Sequence, residues 1–169
     1  RHDSPARALA ELNRTLAPEI PSGLYVTMLY AVIDVATSAV TLARAGHELP
    51  LFVRHDAAAG ALRLDFVGSE GMALGLAPDD VFSAVLVDHT EPFVAGDLLV
   101  LYTDGITEAP NEEGKEFSGA RLADAARTLR HRTAREINAG ILEHVQEFTG
   151  DAPQRDDFTL VTVKRRAGA

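Results

Sequence analysis

LLVLYTDGITEA, residues 98 to 109, is the stretch on which the fold turns. Leu98 to Tyr102 form an apolar run without a polar face, the pattern of a strand buried on both sides. The run stops at Thr103-Asp104-Gly105, where glycine lets the backbone turn sharply. A strand end is rigid, so the Asp104 carboxylate is held in place with its charge toward an opening. Upstream, Ala95-Gly96-Asp97 is a turn signal, and downstream a polar, acidic loop runs to Glu116. A second stretch follows the same logic. In QRDDFTLVTV, residues 154 to 163, Asp156 and Asp157 stand at the mouth of a strand expected over Phe158 to Val163. Successive strand residues point opposite ways, so one carboxylate can face a cleft while its neighbour bonds a turn.

Outward from this centre the chain reads as strands first and helices later. Leu62, Leu64 and Phe66 alternate with polar residues, as in a half-exposed strand. Leu49 to Val53, Val40 to Ala45 and Leu24 to Asp34 are apolar runs read as strands, the last buried on both faces. Val85 and Val87, alternating with Ala84 and Leu86, read as one more, whereas Gly68 to Asp80 is Gly-rich, without period, and reads as a loop. A turn is expected from Ala57 to Gly60. Ser4-Pro5 opens a helix carrying Leu9, Leu12 and Leu16 on one face, closed near Ala17 by Pro18. Ser118 to Leu129 is a helix with Leu122, Ala125, Ala126 and Leu129 on one side. Thr133 and Glu136 form a capping box for the next, whose buried stripe is Ile137, Ile141, Val145 and Phe148 and whose end is Gly150. About seven strands joined by short turns, then two helices and one more strand-like return, imply antiparallel sheets. The fold class is α+β, a layered sandwich of two antiparallel β-sheets flanked by helices.

The 169 residues suit one domain with a real core, and 46% hydrophobic with 24% charged residues is an ordinary globular balance. A net charge of −9 repels polyanions, which argues against nucleic acid and anionic membrane as partners. Without cysteine there are no disulfides, thiolate zinc sites or cysteine nucleophiles, a composition that fits the cytoplasm. No apolar run approaches the ~20 residues that span a bilayer. The chain opens at Arg1, without methionine, straight into a helix signal, and so reads as part of something longer. There is no internal repeat.

Asp104 and Asp156 are far apart in sequence and meet only through the fold. Carboxylates brought together repel unless a cation sits between them, and a hard divalent ion such as Mg²⁺ or Mn²⁺ prefers oxygen ligands. With two such ions a bridging water becomes a nucleophile for phosphorus. The competing reading is that TDG and DD are ordinary strand-to-turn junctions. His47 either contacts a phosphate near the cleft or stabilises a strand-end turn beside Gly46. Arg44 either pairs a phosphate or is a solvated strand residue. Glu108, Glu112, Glu113 and Glu116 either bind cations or form a solvated loop. Ser69, Ser83 and Ser118 lack the elbow of a serine nucleophile.

Five segments narrow these alternatives. YVTMLYAVID (25 to 34), ARAGHELPLF (43 to 52), GMALGL (71 to 76), GDLLVLYTDGITEAPNEEGKEF (96 to 117) and QRDDFTLV (154 to 161) occur in an order and spacing that covers almost the whole chain. In that arrangement the chain resembles the C-terminal part of bacterial PPM-type protein serine/threonine phosphatase domains of the SpoIIE/RsbU kind. The resemblance implies a two-metal centre, Mn²⁺ or Mg²⁺, at one edge of the sandwich. It implies hydrolysis of phosphoserine or phosphothreonine by metal-activated water, with no covalent phosphoenzyme. The substrate implied is a STAS-type anti-sigma-factor antagonist in partner-switching signalling, under an upstream sensor or regulatory domain. By position, Asp104 and Asp156 match metal ligands, and Asp157 matches a neighbour that supports them without holding metal.

One departure qualifies this. The family's first motifs, an acidic strand and a GD-x-x-GHG segment, would lie ahead of the Ser-Pro helix, where Asp3 is the only aspartate. Residues 1 to 169 are therefore expected to be one N-terminally incomplete phosphatase domain that alone holds metal weakly and turns over poorly. Sheet edges left bare by missing strands would invite self-association, a homodimer being the simplest case. The rival reading is a phosphatase-like, non-catalytic protein-binding domain.

Overall fold

Ser4 caps the first helix as its position requires, its Oγ accepting from the Arg7 N–H at 3.1 Å with Pro5 in the first turn. The computed structural model describes residues 4–56 and 60–166. Asp3 and Ala57–Ala59 of the expected turn lie outside the described residues. The helices are α1 (Pro5–Leu16), α2 (Asp79–Val85), α3 (Asp104–Thr107), α4 (Ser118–Leu129) and α5 (Ala134–Thr149). The strands are β1 (Met28–Asp34), β2 (Ala39–Ala45), β3 (Leu51–Asp56), β4 (Ala61–Phe66), β5 (His89–Pro92), β6 (Leu98–Tyr102) and β7 (Leu160–Lys164). A 3-10 turn, Ala17–Glu19, closes α1 where Pro18 was expected to end it. None of the described helices is long and apolar enough to cross a membrane.

The chain divides into two units, one from the segments up to Leu49 and Gly68–Val94, the other from Pro50–Val67 and Ala95 onward. The first unit carries an antiparallel sheet in the order β1-β2-β5. Leu9 of α1, Ala43 and Ala45 of β2, Leu74 and Phe82 are its buried cluster, with Leu12, Met28 and Leu86 packed against it. Backbones approach closely here. A Cβ on Gly71 would run into the Arg44 carbonyl oxygen, and one on Gly46 would sit 2.8 Å from the Ala73 N. Glycine at both positions lets the loop after Gly68 lie against the end of β2.

The second unit carries an antiparallel sheet in the order β4-β3-β6-β7, with Leu98 opposite Lys164 and Tyr102 opposite Leu160. Leu51, Val53, Leu98, Val100 and Tyr102 on one face of this sheet join Leu122, Ala125, Ala126, Ile137, Ile141 and Val145 of α4 and α5 in one buried cluster. The capping box is complete: Glu136 N donates to Thr133 Oγ1 at 3.3 Å while Glu136 Oε2 accepts from Thr133 N at 2.9 Å.

Four expectations need correction. The first strand begins at Met28, and Leu24 and Tyr25 are 61% and 59% exposed. It is half-buried because it lies at the margin of its sheet, paired only to β2 among the described residues. Second, Val85 closes a helix and Val87 follows it. Pro78 precedes α2, Asp79 and Asp80 favour its N-terminus, and Phe82 is its buried anchor, while Val81 and Val85 stay exposed. Third, Gly68 to Asp80 reads as loop only to Pro78, since Asp79 already begins α2. Fourth, the acidic loop begins with a helical turn, α3, directly on Asp104.

Candidate functional site

Asp104 and Asp156 belong to the same unit; Asp104 follows the end of β6 by two residues, whereas Asp156 lies four residues ahead of β7, which begins at Leu160 and not at the expected Phe158. β6 ends at Tyr102, and Thr103 ties its end to the segment before β7. Thr103 N donates to Thr159 O at 3.1 Å, Thr103 Oγ1 donates to Asp157 O at 3.2 Å, and Thr159 N donates to Thr103 Oγ1 at 3.1 Å. These three bonds fix the separation of the TDG and DD segments. Gly105 then sets how near they come. It is buried, and a Cβ there would lie 2.5 Å from Asp157 O and 3.4 Å from the Asp156 Cβ. Only glycine permits that approach without a shift of the backbone.

Both carboxylates are exposed, and each takes a bond from the residue that follows it. Asp104 Oδ1 accepts from Gly105 N at 2.9 Å, and Asp156 Oδ1 accepts from Asp157 N at 2.7 Å. Gln154 Nε2 donates to Asp156 O at 2.7 Å, holding the turn ahead of β7. Asp157 is likewise exposed and contributes its main-chain N–H and carbonyl to this framework. The donors are anionic oxygens, the set a hard divalent ion takes. Among the described residues no group of three or more His, Asp or Glu is arranged to hold a metal.

Next to the pair is a cavity of about 390 Å³, lined by Gly105 and Asp156 together with Glu108, Glu116, Gln146, Thr149, Arg155 and Phe158. The loop that bounds it is ordered. Asn111 Oδ1 accepts from Glu113 N and Lys115 N, and Phe117 N donates to Ala109 O at 2.9 Å. Within the glutamate group, Glu108 and Glu116 line the cavity, Glu113 pairs with Lys115 at 2.9 Å and Glu112 accepts from Asp151 N at 3.4 Å. Gln146 and Thr149 were not found from sequence: they sit in the last turn of α5, and no local motif marks them. Arg155 was inside the quoted QRDD segment, and its neighbouring carboxylates drew the reading away from it.

His47 and Arg44 lie in the other unit. His47 is half-buried with Nδ1 3.4 Å from Glu48 O. Arg44 is neither solvated nor open to a phosphate by its Nε and Nη1, which donate to Ser69 O at 3.0 Å and to His47 O at 2.7 Å. It staples the AGH segment to the loop after Gly68.

Two antiparallel sheets with helices are the architecture of PPM-type phosphatase domains. The chain belongs to the SpoIIE family: the family model described as stage II sporulation protein E matches residues 1–166. It is 28% identical over 162 residues to the phosphoserine phosphatase RsbU of Bacillus subtilis, covering 96% of this chain and 45% of that protein. This chain thus spans less than half the length of that relative. Among solved structures, the RsbU and RsbW domains of Rv1364c from Mycobacterium tuberculosis align with a TM-score of 0.75 at 27% identity, covering 96% of this chain and 42% of that one. The manganese-presoaked phosphatase domain of Bacillus subtilis SpoIIE aligns with a TM-score of 0.65 at 19% identity, covering all of this chain and 77% of that one, a likeness of fold.

Proposed function

We propose that this chain is the C-terminal part of a metal-dependent phosphoserine/phosphothreonine protein phosphatase domain, and that Asp104 and Asp156 hold its metal. The observation that carries the reading is the contact of Gly105 with Asp156 and Asp157, which presses two acidic strand-end motifs together. A hard divalent cation, which prefers carboxylate oxygen, suits a place between these two acidic motifs. When bound, Mn²⁺ or Mg²⁺ supplies activated water for attack on phosphorus. The chain's own residues do the rest. Thr103 holds the two segments in register, Gly105 leaves room for their approach, and Asp157 braces the turn through its main chain. The cavity beside Asp156 offers both charge signs to a peptide, Glu108 and Glu116 on one hand and Arg155 on the other. Further ligands come from segments outside residues 1–169, so this chain alone is expected to be inactive. The substrate we propose is a STAS-type antagonist.

The test is Mn²⁺-dependent hydrolysis of a phosphoserine protein by the full-length protein. Asp104→Ala and Asp156→Asn should each lower kcat by at least about a hundred-fold, since losing an anionic ligand weakens metal binding. Full activity in either variant would remove these two residues from the site. Absence of activity in the unsubstituted protein, with intact binding of a phosphorylated partner, would favour a non-catalytic docking domain instead.

A further inference from the structure

Far from the acidic pair is a second cavity, of about 490 Å³, where the α4–α5 turn meets the end of β7. Its lining includes His131, Arg132, Arg135, Lys164 and Arg166. Four of the chain's 16 Lys and Arg thus converge on one hollow of a protein with net charge −9. Such concentration against the overall charge creates a local positive potential in an otherwise repulsive field for anions.

The frame of the cavity is fixed by Lys164, while the arginines on its rim are exposed. Lys164 Nζ donates to Arg130 O and to Arg132 O, both at 2.7 Å, so one cation clamps the turn to the last strand. Arg132, Arg135 and Arg166 make no ion pair within 4 Å among the described residues. The nearby carboxylate of Glu136 is already taken by Thr133 N and Oγ1. Arg132 acts on that same carboxylate, so Arg135 and Arg166 are the guanidinium groups left to recognise something else, and their planar forks suit carboxylates.

We infer that this cavity docks an acidic segment of a partner protein. Its volume exceeds what one small anion fills. Its charge is confined to one hollow and does not run as a stripe, which, with the acidic remainder of the chain, disfavours a nucleic-acid backbone. Position adds a consequence. α5 has 16 residues and runs from this cavity at Ala134 to the acidic-site cavity at Thr149, a span of about 24 Å at the helical rise. A partner held here is anchored well away from Asp156. The inference does not depend on the phosphatase reading.

The experiment is fluorescence anisotropy of a labelled octaglutamate peptide titrated with the full-length protein, beside a neutral octaglutamine control. Octaglutamate alone should bind, more weakly as salt rises. The Arg135→Glu/Arg166→Glu double variant should loosen it by about ten-fold or more, because close charge pairs across an interface couple strongly. Both positions are exposed, and a glutamate early in α5 suits the helix dipole, so the variant should melt like the parent. Equal binding by the variant, or no binding by the parent, would overturn the inference. So would displacement of the peptide by equimolar inorganic phosphate, which would reveal a small-anion site, or tighter binding of duplex DNA. Hydrolysis of p-nitrophenyl phosphate should be the same in parent and variant, which keeps this test separate from the one on Asp104 and Asp156.

Discussion

Replacing Gly105 with alanine would put a methyl group 2.5 Å from the Asp157 carbonyl oxygen, so the TDG and DD segments would have to part. Overpacking of this kind costs about 1–3 kcal/mol. We expect Gly105→Ala in the full-length protein to lower the melting temperature and to weaken Mn²⁺-dependent hydrolysis at least ten-fold. Calorimetry and a phosphoserine assay check the two effects; an active variant of parental stability would show that the approach is slack. Asp104→Ala should behave in the opposite way without metal. Its carboxylate is exposed and its loss opens no cavity, so the apo melting temperature should not fall by more than about a degree or two. At this scale the sequence was legible where chemistry and turn geometry coincide. That the TDG and DD segments meet follows from the apolar runs beside them, whereas a ligand role for Asp104 and Asp156 rests on the resemblance and remains a proposal. Arg44 could not be placed, because its partners are main-chain carbonyls of His47 and Ser69, and carbonyls leave no mark in a sequence.

α5 illustrates what an element owes to its ends. Thr133→Ala removes the N-cap oxygen and should cost about 1 kcal/mol, read as a lower denaturant midpoint at unchanged slope. The reciprocal half of the cap depends on pH. The Thr133 backbone N–H, then its hydroxyl, hold the Glu136 carboxyl below its ordinary value, with Arg132 and Lys164 adding to the effect. A depressed carboxyl pKa stabilises the fold above the unfolded value, and that contribution is lost as pH falls through the folded one. Glu136→Gln should therefore be less stable than the parent near neutrality and match it in strong acid; a difference independent of pH would contradict the cap's ionic character. The capping box and the stripe Ile137, Ile141, Val145 were readable because helical spacing and a local motif agree over four turns. α2 was not. Its seven residues hold one buried anchor, Phe82, and its exposed Val81 and Val85 mimic the β-branched texture of a strand. The expected burial of residues 24 to 34 failed because an apolar run cannot report whether a strand has one neighbour or two.

For the molecule as a whole, two expectations follow from counting ligands and edges. With two acidic motifs held side by side at Gly105 and no group of three or more His, Asp or Glu arranged for a metal among the described residues, residues 1–169 alone should bind Mn²⁺ weakly by calorimetry and show negligible turnover. Tight binding or full activity would mean that the ligands lie within this chain. Among the described residues β1 has one neighbouring strand in its sheet, β2, and its Tyr30 is 41% exposed. The 169-residue chain should therefore self-associate with rising concentration in light scattering, and Tyr30→Lys should suppress it. The division into two units carries a consequence for biosynthesis. Neither unit is one continuous stretch of chain, for the path crosses between them after Leu49, Val67 and Val94. On the ribosome, the first unit lacks β5 until its residues have emerged, and the sheet of the second stays open at β6 until β7, made last, is released. The segment bearing Asp156 therefore joins Gly105 only after the other strands of its sheet have been made. A stop between Gly150 and Leu160 would yield a chain that has β5 of the first unit but lacks β7 of the second, a species for proteases and chaperones to clear.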